Sequence, residues 1–332
     1  MLTVYCLEVV IEASTPLALD RYCGSALRGA FFRALWGRFC TNRESPTCEE
    51  CPLVTACPVT SLLAPLRDEA PRGRNVPRPY IITAPYRREG ETNYYQQGET
   101  FTFGLALIGN IAKLYPYVIR AFQEMERSNL GHPLTELGGR RGKILIREIR
   151  SYHPITDERQ ILWQHGEKRP EPLQLCVTSD DVARRAEQLP TDRITVDFQS
   201  PTRLIASEHV LTRPDFSTLI MRLAQRLEEI QQEYNSPVTG TEEGNERVGG
   251  RDWYLMLKEK AAHVQLEYDE TCWVDIQSYS ARHKRSTPIG GIVGRATFSG
   301  DISHFRQLLV WGEILHVGKN VVKGGGTYRI EP

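Results

Sequence analysis

The sequence has no long apolar run: nothing in its 332 residues approaches the roughly 20 consecutive apolar positions of a membrane-crossing helix. It has no net charge either, with 41 Lys and Arg against 41 Asp and Glu, which argues against a protein that coats nucleic acid by bulk electrostatics. The stretch from Met1 to Ile11 has no basic residues ahead of an apolar core and carries Glu8, so it does not read as a signal peptide. Together these absences point to the cytoplasm and to no membrane. What is present is globular: 40% hydrophobic and 25% charged residues are not the composition of a disordered chain. The length suits two domains, each able to bury a core without disulfide staples.

Charge is balanced in total but not in place. Basic residues gather at Arg72, Arg74 and Arg78, at Arg140, Arg141, Lys143, Arg147 and Arg150, at Arg282 to Arg285 and at Lys319, Lys323 and Arg329. Acidic residues gather in 228–233 and 242–246. Basic clusters are most often solvated faces, but local strips on a neutral chain also suit a structured RNA groove.

Alternation of apolar and polar residues from Thr3 to Glu12 predicts a strand, and Leu27, Phe31, Ala34 and Leu35 predict a helix from Ser25 to Phe39, with Ser25 as its cap. Short strands follow in 77–85 and 99–108, a helix in 117–127 and a strand in 143–152. The second half repeats the order, with a strand in 193–199 and a long helix in 215–234 whose Phe216, Leu219, Ile220, Leu223, Leu227, Ile230 and Tyr234 share one face. A polar, Gly-rich stretch in 235–250 reads as a mobile loop. Paired strands in 264–280 and 292–298, a helix in 303–315 and an edge strand in 327–330 complete the chain. Two successive β-α-β-β-α-β units give an α+β fold of tandem ferredoxin-like domains, 1–190 and 191–332, the architecture of common RNA-recognition modules.

Cys40, Cys48, Cys51 and Cys57 follow C-x7-C-x2-C-x5-C inside the first domain, as a Cys-rich insertion over about 40–58. Four thiolates so spaced are able to close around one metal, structural zinc ahead of an iron–sulfur cluster, and would leave no open position for a catalytic water. Buried free thiols or disulfides are the plainer alternatives, and a cytosolic setting disfavours the latter.

The C-terminal run Gly312-Glu-Ile-Leu-His-Val-Gly-Lys-Asn-Val-Val-Lys-Gly-Gly-Gly-Thr-Tyr-Arg-Ile carries glycines flanked by lysines and followed directly by a strand. Gly324, Gly325 and Gly326 would let the backbone approach a bulky partner and leave successive N–H groups for phosphate oxygens. A flexible hairpin turn would explain one or two of these glycines. The spacing is not that of a nucleotide-binding P-loop.

With those residues in view, the sequence resembles the CRISPR-associated endoribonucleases of the RAMP superfamily that cut precursor CRISPR RNA within its repeats. The likeness runs in order through Gly24-Ser-Ala-Leu-Arg-Gly-Ala-Phe, the cysteine cluster to Cys57-Pro58, Pro77-Arg-Pro-Tyr-Ile-Ile and Ser200-Pro-Thr-Arg-Leu. It continues through Ser278-Tyr-Ser-Ala-Arg-His-Lys-Arg and Pro288-Ile-Gly-Gly-Ile-Val-Gly to the Gly-rich end. The resemblance implies an endoribonuclease of antiviral defence that needs no metal for catalysis. A base takes the ribose 2′-OH proton, and the products are a 2′,3′-cyclic phosphate and a 5′-OH. Its partners would be precursor crRNA and an effector complex that receives the product.

Many relatives place a catalytic histidine in or just after the first helix, but Gly24 to Cys57 contains none here. The candidates for catalysis are His283, with Lys284 beside it, and His316. Those for RNA binding are Arg282, Arg285, Lys319, Lys323 and Gly324 to Gly326. Tyr22, Tyr279 and Tyr328 are lesser candidates for positioning. Two other readings stay open: a catalytically silent RNA-binding subunit of the same superfamily, and a metal-bearing protein-interaction module.

Overall fold

The computed structural model describes residues 2–65, 76–87, 93–235, 249–280 and 285–331, without the side chains of Tyr279, Ser280 and Arg285. Arg72, Arg74, most of the expected mobile loop and the Arg282–Lys284 run therefore lie outside the described residues. The chain divides into two compact units, Thr3–Val177 and Thr178–Pro332 with Met1–Leu2. Both mix helices and antiparallel sheet, as the α+β expectation requires.

In the first unit the order is β1 (Val4–Ala13), α1 (Gly24–Phe39), β2 (Tyr80–Thr83), β3 (Thr100–Ile108) and α2 (Tyr115–Met125). A hairpin of β4 (Leu130–Leu134) and β5 (Arg140–Gly142) follows, then β6 (Ile144–Tyr152) and β7 (Arg159–Gln164). The sheet order is β2–β3–β1–β6–β7. β1 lies at its centre, with Val9 opposite Phe103 on one side and Ile149 on the other. Leu7, Val9, Ile11 and Ala13 of β1 are buried on one face, while Glu8 and Glu12, partly exposed, lie on the other, as a half-buried strand dictates.

α1 and α2 supply the other layer. Leu27, Phe31, Ala34 and Leu35 of α1 are buried, and so are Val118, Ile119, Phe122 and Met125 of α2. Phe31 joins the layers, its ring 5.3 Å from Phe122 and 5.8 Å from Tyr80 of β2. α1 opens after Cys23 with no side-chain cap, so Ser25 lies inside the helix and is not its cap. Packing of the apolar stripe, not capping, fixes where this helix begins.

The second unit starts with α3 (Ser179–Glu187), opened by a capping box in which Thr178 and Asp181 each satisfy the other's backbone N–H. Next come β8 (Arg193–Thr202), α4 (Phe216–Tyr234), α5 (Arg251–Ala261) and β9 (Gln265–Val274). The hairpin β10 (Gln277–Ser280) and β11 (Arg285–Pro288), then β12 (Gly291–Ser299), α6 (Arg306–Leu315) and β13 (Tyr328–Glu331) complete it. The sheet order is β9–β12–β8–β13, all antiparallel. Asp215 caps α4 by accepting from the Thr218 N–H at 2.7 Å. Phe216 then packs against Phe298 of β12 and Phe305.

β13 is an edge strand, held in place from two sides. The buried Tyr328 hydroxyl donates to the Leu309 carbonyl of α6 at 2.6 Å, and the Ile330 N–H donates to Glu313 at 2.9 Å. Burial raises the Glu313 carboxyl above its ordinary value. Tyr328 is thereby a core residue that holds the strand leaving the Gly-rich loop.

Phe31→Ala should remove both ring contacts at once and cost about 3–5 kcal/mol of stability. Urea unfolding with a core-fluorescence probe measures it, and a loss below 1 kcal/mol would mean that Phe31 does not join the two layers.

Candidate nucleic-acid interface

The Gly-rich segment is a strap tied onto the end of β8. Ser200, fully buried, donates its hydroxyl to the Gly324 carbonyl at 2.8 Å and accepts the Thr327 N–H at 2.9 Å. The Gly326 N–H donates to the Pro201 carbonyl at 3.2 Å, and the Lys319 N–H to the Arg203 carbonyl at 3.1 Å. Within the strap, Lys323 and Gly325 both donate to Asn320, Gly324 donates to Val321, and Val317 donates to Gly326.

Two glycines are required by this geometry. Gly318 has φ 79° and Gly326 φ 76°, and a Cβ on either would run into the carbonyl of Arg203 or Val317 respectively. The reading of free N–H groups aimed at phosphate does not match this picture. The amides of Lys319, Lys323, Gly324, Gly325 and Gly326 are all spent inside the protein. What the strap offers outward is the shape of a tight backbone and its lysines.

Lys319 is exposed. Lys323 reaches the Ser278 hydroxyl of β10 at 3.3 Å. Arg203, just past β8, donates to the Gly290 carbonyl at 3.3 Å and lies over the Trp273 ring at 5.7 Å. Gly290 and Gly291 pass so close to the backbones of Val274 and Thr202 that a Cβ would not fit. Lys323 thus ties the strap to β10 of the β10–β11 hairpin, and Arg203 ties the end of β8 to the turn that follows β11. In sequence that hairpin encloses Arg282, His283 and Lys284, which lie outside the described residues, and Arg285 opens β11.

His316 is 2% exposed and ends α6 at φ 57°, a backbone region that L side chains rarely adopt. Its ring lies 3.3 Å from the Thr327 hydroxyl and bonds to the backbone of Gly325. Burial, reinforced by the Arg226 charge, pushes its pKa down to about 3. Arg226 itself donates from Nε to the Leu315 carbonyl at 2.8 Å, capping α6, and burial lowers its pKa to about 10. In this setting His316 is a neutral latch on the strap, closed off from solvent.

Of the lesser candidates, Tyr22 is 3% exposed with its hydroxyl buried and unpartnered. In the first unit His132 and Asp20 pair at 2.8 Å, both half-exposed. That dyad joins residues far apart in sequence, and nothing local signals it. The second basic cluster divides. Arg147 pairs with Glu12 at 2.6 Å and Arg150 with Glu148 at 2.9 Å, whereas Arg140 and Arg141 sit on the β4–β5 hairpin.

The four-cysteine metal site is not formed. Among the described residues no group of three or more His, Cys, Asp or Glu is placed to hold a metal ion. Cys40, Cys48, Cys51 and Cys57 are half-buried free thiols. Cys40 turns to the Asn42 carbonyl and Cys51 takes the Asn42 side-chain amide, so their sulfurs serve local turns. Burial raises the Cys48 thiol, and its neighbouring cysteines add to the effect. Neither zinc nor an iron–sulfur cluster is supported there. Among the described residues no helix is long and apolar enough to cross a membrane.

Residues 2–175, just over half of the chain, match the family model of the AF_1859_N N-terminal domain. The chain belongs to that family. Residues 196–328, which hold the strap and the hairpin, match the model of the CRISPR-associated endoribonuclease Cas6. No curated protein matches the chain significantly. Among solved structures it resembles a chain of a partial Cas6-RT-Cas1–Cas2 complex, with a TM-score of 0.58 and 14% identity over 100% of this chain. It spans 46% of that longer chain, less than half its length. A Cas6 product complex gives 0.53 at 15% identity, covering 99% of this chain and 100% of the other. Thermus thermophilus Cas6 gives 0.50 at 15%, covering 100% and 99%. These structural likenesses establish a shared fold.

The buried His316 has a measurable signature. Its imidazole is pushed down to about 3 in the fold against an ordinary 6.5, so the unfolded chain takes up the proton first. The stability that His316 contributes is complete above about pH 6.5 and is lost as pH falls towards 3, at up to about 1.4 kcal/mol per pH unit. Urea unfolding between pH 7 and 4 should show this decline in the wild type and a shallower one in His316→Gln. Equal slopes would mean that the imidazole is open to solvent.

Proposed function

We propose that the chain binds precursor CRISPR RNA and cuts it within the repeat, by attack of a ribose 2′-OH on the adjacent phosphate without a metal ion. The observation that carries this reading is the strap. A Cas6-matching C-terminal unit fixes its Gly-rich backbone on Ser200 and ties it, through Lys323, to a hairpin bearing a histidine among three cations. We read each unit as ferredoxin-like. In the second, the sheet order β9–β12–β8–β13 is that of strands two, three, one and four, backed by α4 and α6.

In this reading His283 removes the 2′-OH proton, since an imidazole titrating near neutrality suits a general base. The 2′-oxygen bonds to phosphorus, the bond to the 5′-oxygen breaks, and that oxygen leaves with a proton as a 5′-OH. A 2′,3′-cyclic phosphate remains on the upstream product. Lys284, Arg282 and Arg285 offset the charge that develops on the phosphate. Lys319 and Lys323 hold the backbone on the strap, and His316 keeps the strap in shape. His132, oriented by Asp20, is a second candidate base, because an exposed His–Asp pair is the arrangement that fixes an imidazole for proton transfer. The likeness to a chain of a Cas6-RT-Cas1–Cas2 assembly supports a place beside other CRISPR components, with mature crRNA handed onward.

Labelled repeat RNA from the protein's own locus, incubated in EDTA, tests the reading. The wild type should cut it and leave a cyclic phosphate. His283→Ala should lose at least about 100-fold in rate with binding intact. The same loss in His132→Ala instead would move the base to the dyad. Tight binding with no cutting would make the chain a silent RNA-binding subunit.

The grip is tested separately. Lys319→Ala with Lys323→Ala should weaken repeat binding and lower the slope of log affinity against log salt by about 2. Unchanged affinity would remove the strap lysines from the RNA contact.

A further inference from the structure

α1 carries three arginines, Arg28, Arg33 and Arg38, and no acidic residue along its whole length. Such a helix is unusual on a solvated face, where charges of both signs are normally interspersed. Its outward side is also aromatic. Phe32 and Trp36, one turn apart, are 37% and 36% exposed, and the Arg43 guanidinium lies 5.3 Å from the centre of the Trp36 ring. Arg43 is held there by its bond to the Gly37 carbonyl at 2.6 Å.

The β4–β5 hairpin packs beside α1 and brings a further cation. Burial, and after it the charge of Arg141, hold the Arg33 guanidinium below its usual value. Among the described residues neither Arg33 nor Arg141 is paired with a carboxylate, whereas Arg147 and Arg150 each have one. Arg33 on α1 and Arg141 on the hairpin beside it are both exposed, and like charges on neighbouring elements without an acid favour an anion near them. Arg28, on the same helix, keeps its Nε buried without a hydrogen-bond partner.

We infer that the outer face of α1, with Arg141 of β5, is a second contact for single-stranded RNA, one that takes a segment flanking the repeat. The inference rests on the RNA-binding reading above and adds a site to it. Arg33 and Arg141 hold a phosphate, while Phe32 and Trp36 offer rings on which successive bases stack. Cations tracking the backbone beside stacking aromatics form the general recipe for sequence-tolerant single-strand binding. An acidic peptide would satisfy the arginines but leave the two exposed rings without a role.

The test uses the full chain and three labelled probes: the bare repeat RNA, the same RNA with a 12-nucleotide unpaired flank, and oligouridylate of 12 nucleotides. The wild type should bind the flanked repeat at least about fivefold tighter than the bare one, and should bind oligouridylate in a salt-dependent way. Arg33→Gln with Arg141→Gln should erase the flank's gain and the oligouridylate binding while leaving the bare repeat unaffected. Phe32→Leu with Trp36→Leu, which keeps the surface apolar, should weaken oligouridylate binding about tenfold.

The inference is overturned if the flank adds nothing to wild-type binding. It is overturned equally if the arginine variant keeps the gain, or if a glutamate 12-mer displaces oligouridylate as well as unlabelled RNA does. Failure of repeat cutting would sink the nuclease reading alone, because oligouridylate binding is read independently of cleavage.

Discussion

The hydroxyl of Ser200 donates to one carbonyl of the Gly-rich strap and accepts one of its N–H groups, and the shape of the strap depends on that paired bond. A segment with three consecutive glycines has too many accessible conformations to hold a surface unaided. Here each turn of the strap is fixed against residues 200–203, so the entropy of those glycines is met by hydrogen bonds in a buried place where water cannot compete. The same bonds explain why the amides are unavailable to phosphate. A strap whose N–H groups pointed outward would have lost its own frame.

The latch follows from the frame. His316 occupies a backbone conformation that glycine would adopt more cheaply, and it does so fully buried. Its ring contributes what glycine lacks, a bond to the Gly325 backbone and contact with Thr327, which Ser200 also holds. Arg226 closes the end of α6 at the neighbouring carbonyl. Burial, and after it the Arg226 charge, disfavours protonation of the imidazole, so the latch is neutral near pH 7. A histidine beside glycines and lysines reads in sequence as a catalytic base. Burial, which sequence does not show, turns the same residue into part of the scaffold.

Much of the fold was legible because its signals are periodic. β1, α1, β3, β6, α4 and β12 announce themselves by alternation or by a helical stripe, and their bounds lie within a few residues of those expected. α3 was legible in principle from Thr178-Ser-Asp-Asp, a capping box, but its helix is mostly charged and presents little apolar stripe. The β4–β5 hairpin was not legible, since its strands are short, rich in glycine and arginine, and stabilised by close passage of Gly131 and Gly142 over residues 16–18. The cysteine spacing misled for a related reason. Spacing limits which ligands are able to meet but does not direct their sulfurs, and here Asn42 engages two of them.

The Gly-rich strap was legible as a sequence feature, but its contacts were not. Lys319, Lys323 and the glycines stood out because glycine and lysine rarely crowd together without a backbone or polyanion reason. Arg203, Trp273 and Ser278, which join that strap and the end of β8 to the hairpin and the turn after it, had no local signal beyond their motifs, for their importance lies in contacts across long stretches of chain. Charge behaves likewise. Arg140, Arg141, Arg147 and Arg150 form one run in sequence, yet the strand places Arg147 and Arg150 against glutamates while the hairpin leaves Arg141 beside Arg33. A neutral chain that neutralises some of its cations internally and leaves others unpaired concentrates its remaining positive potential in a few places. Such a distribution leaves less long-range attraction for bulk polyanion than a high net charge would, because non-specific nucleic-acid binding grows with every added phosphate contact.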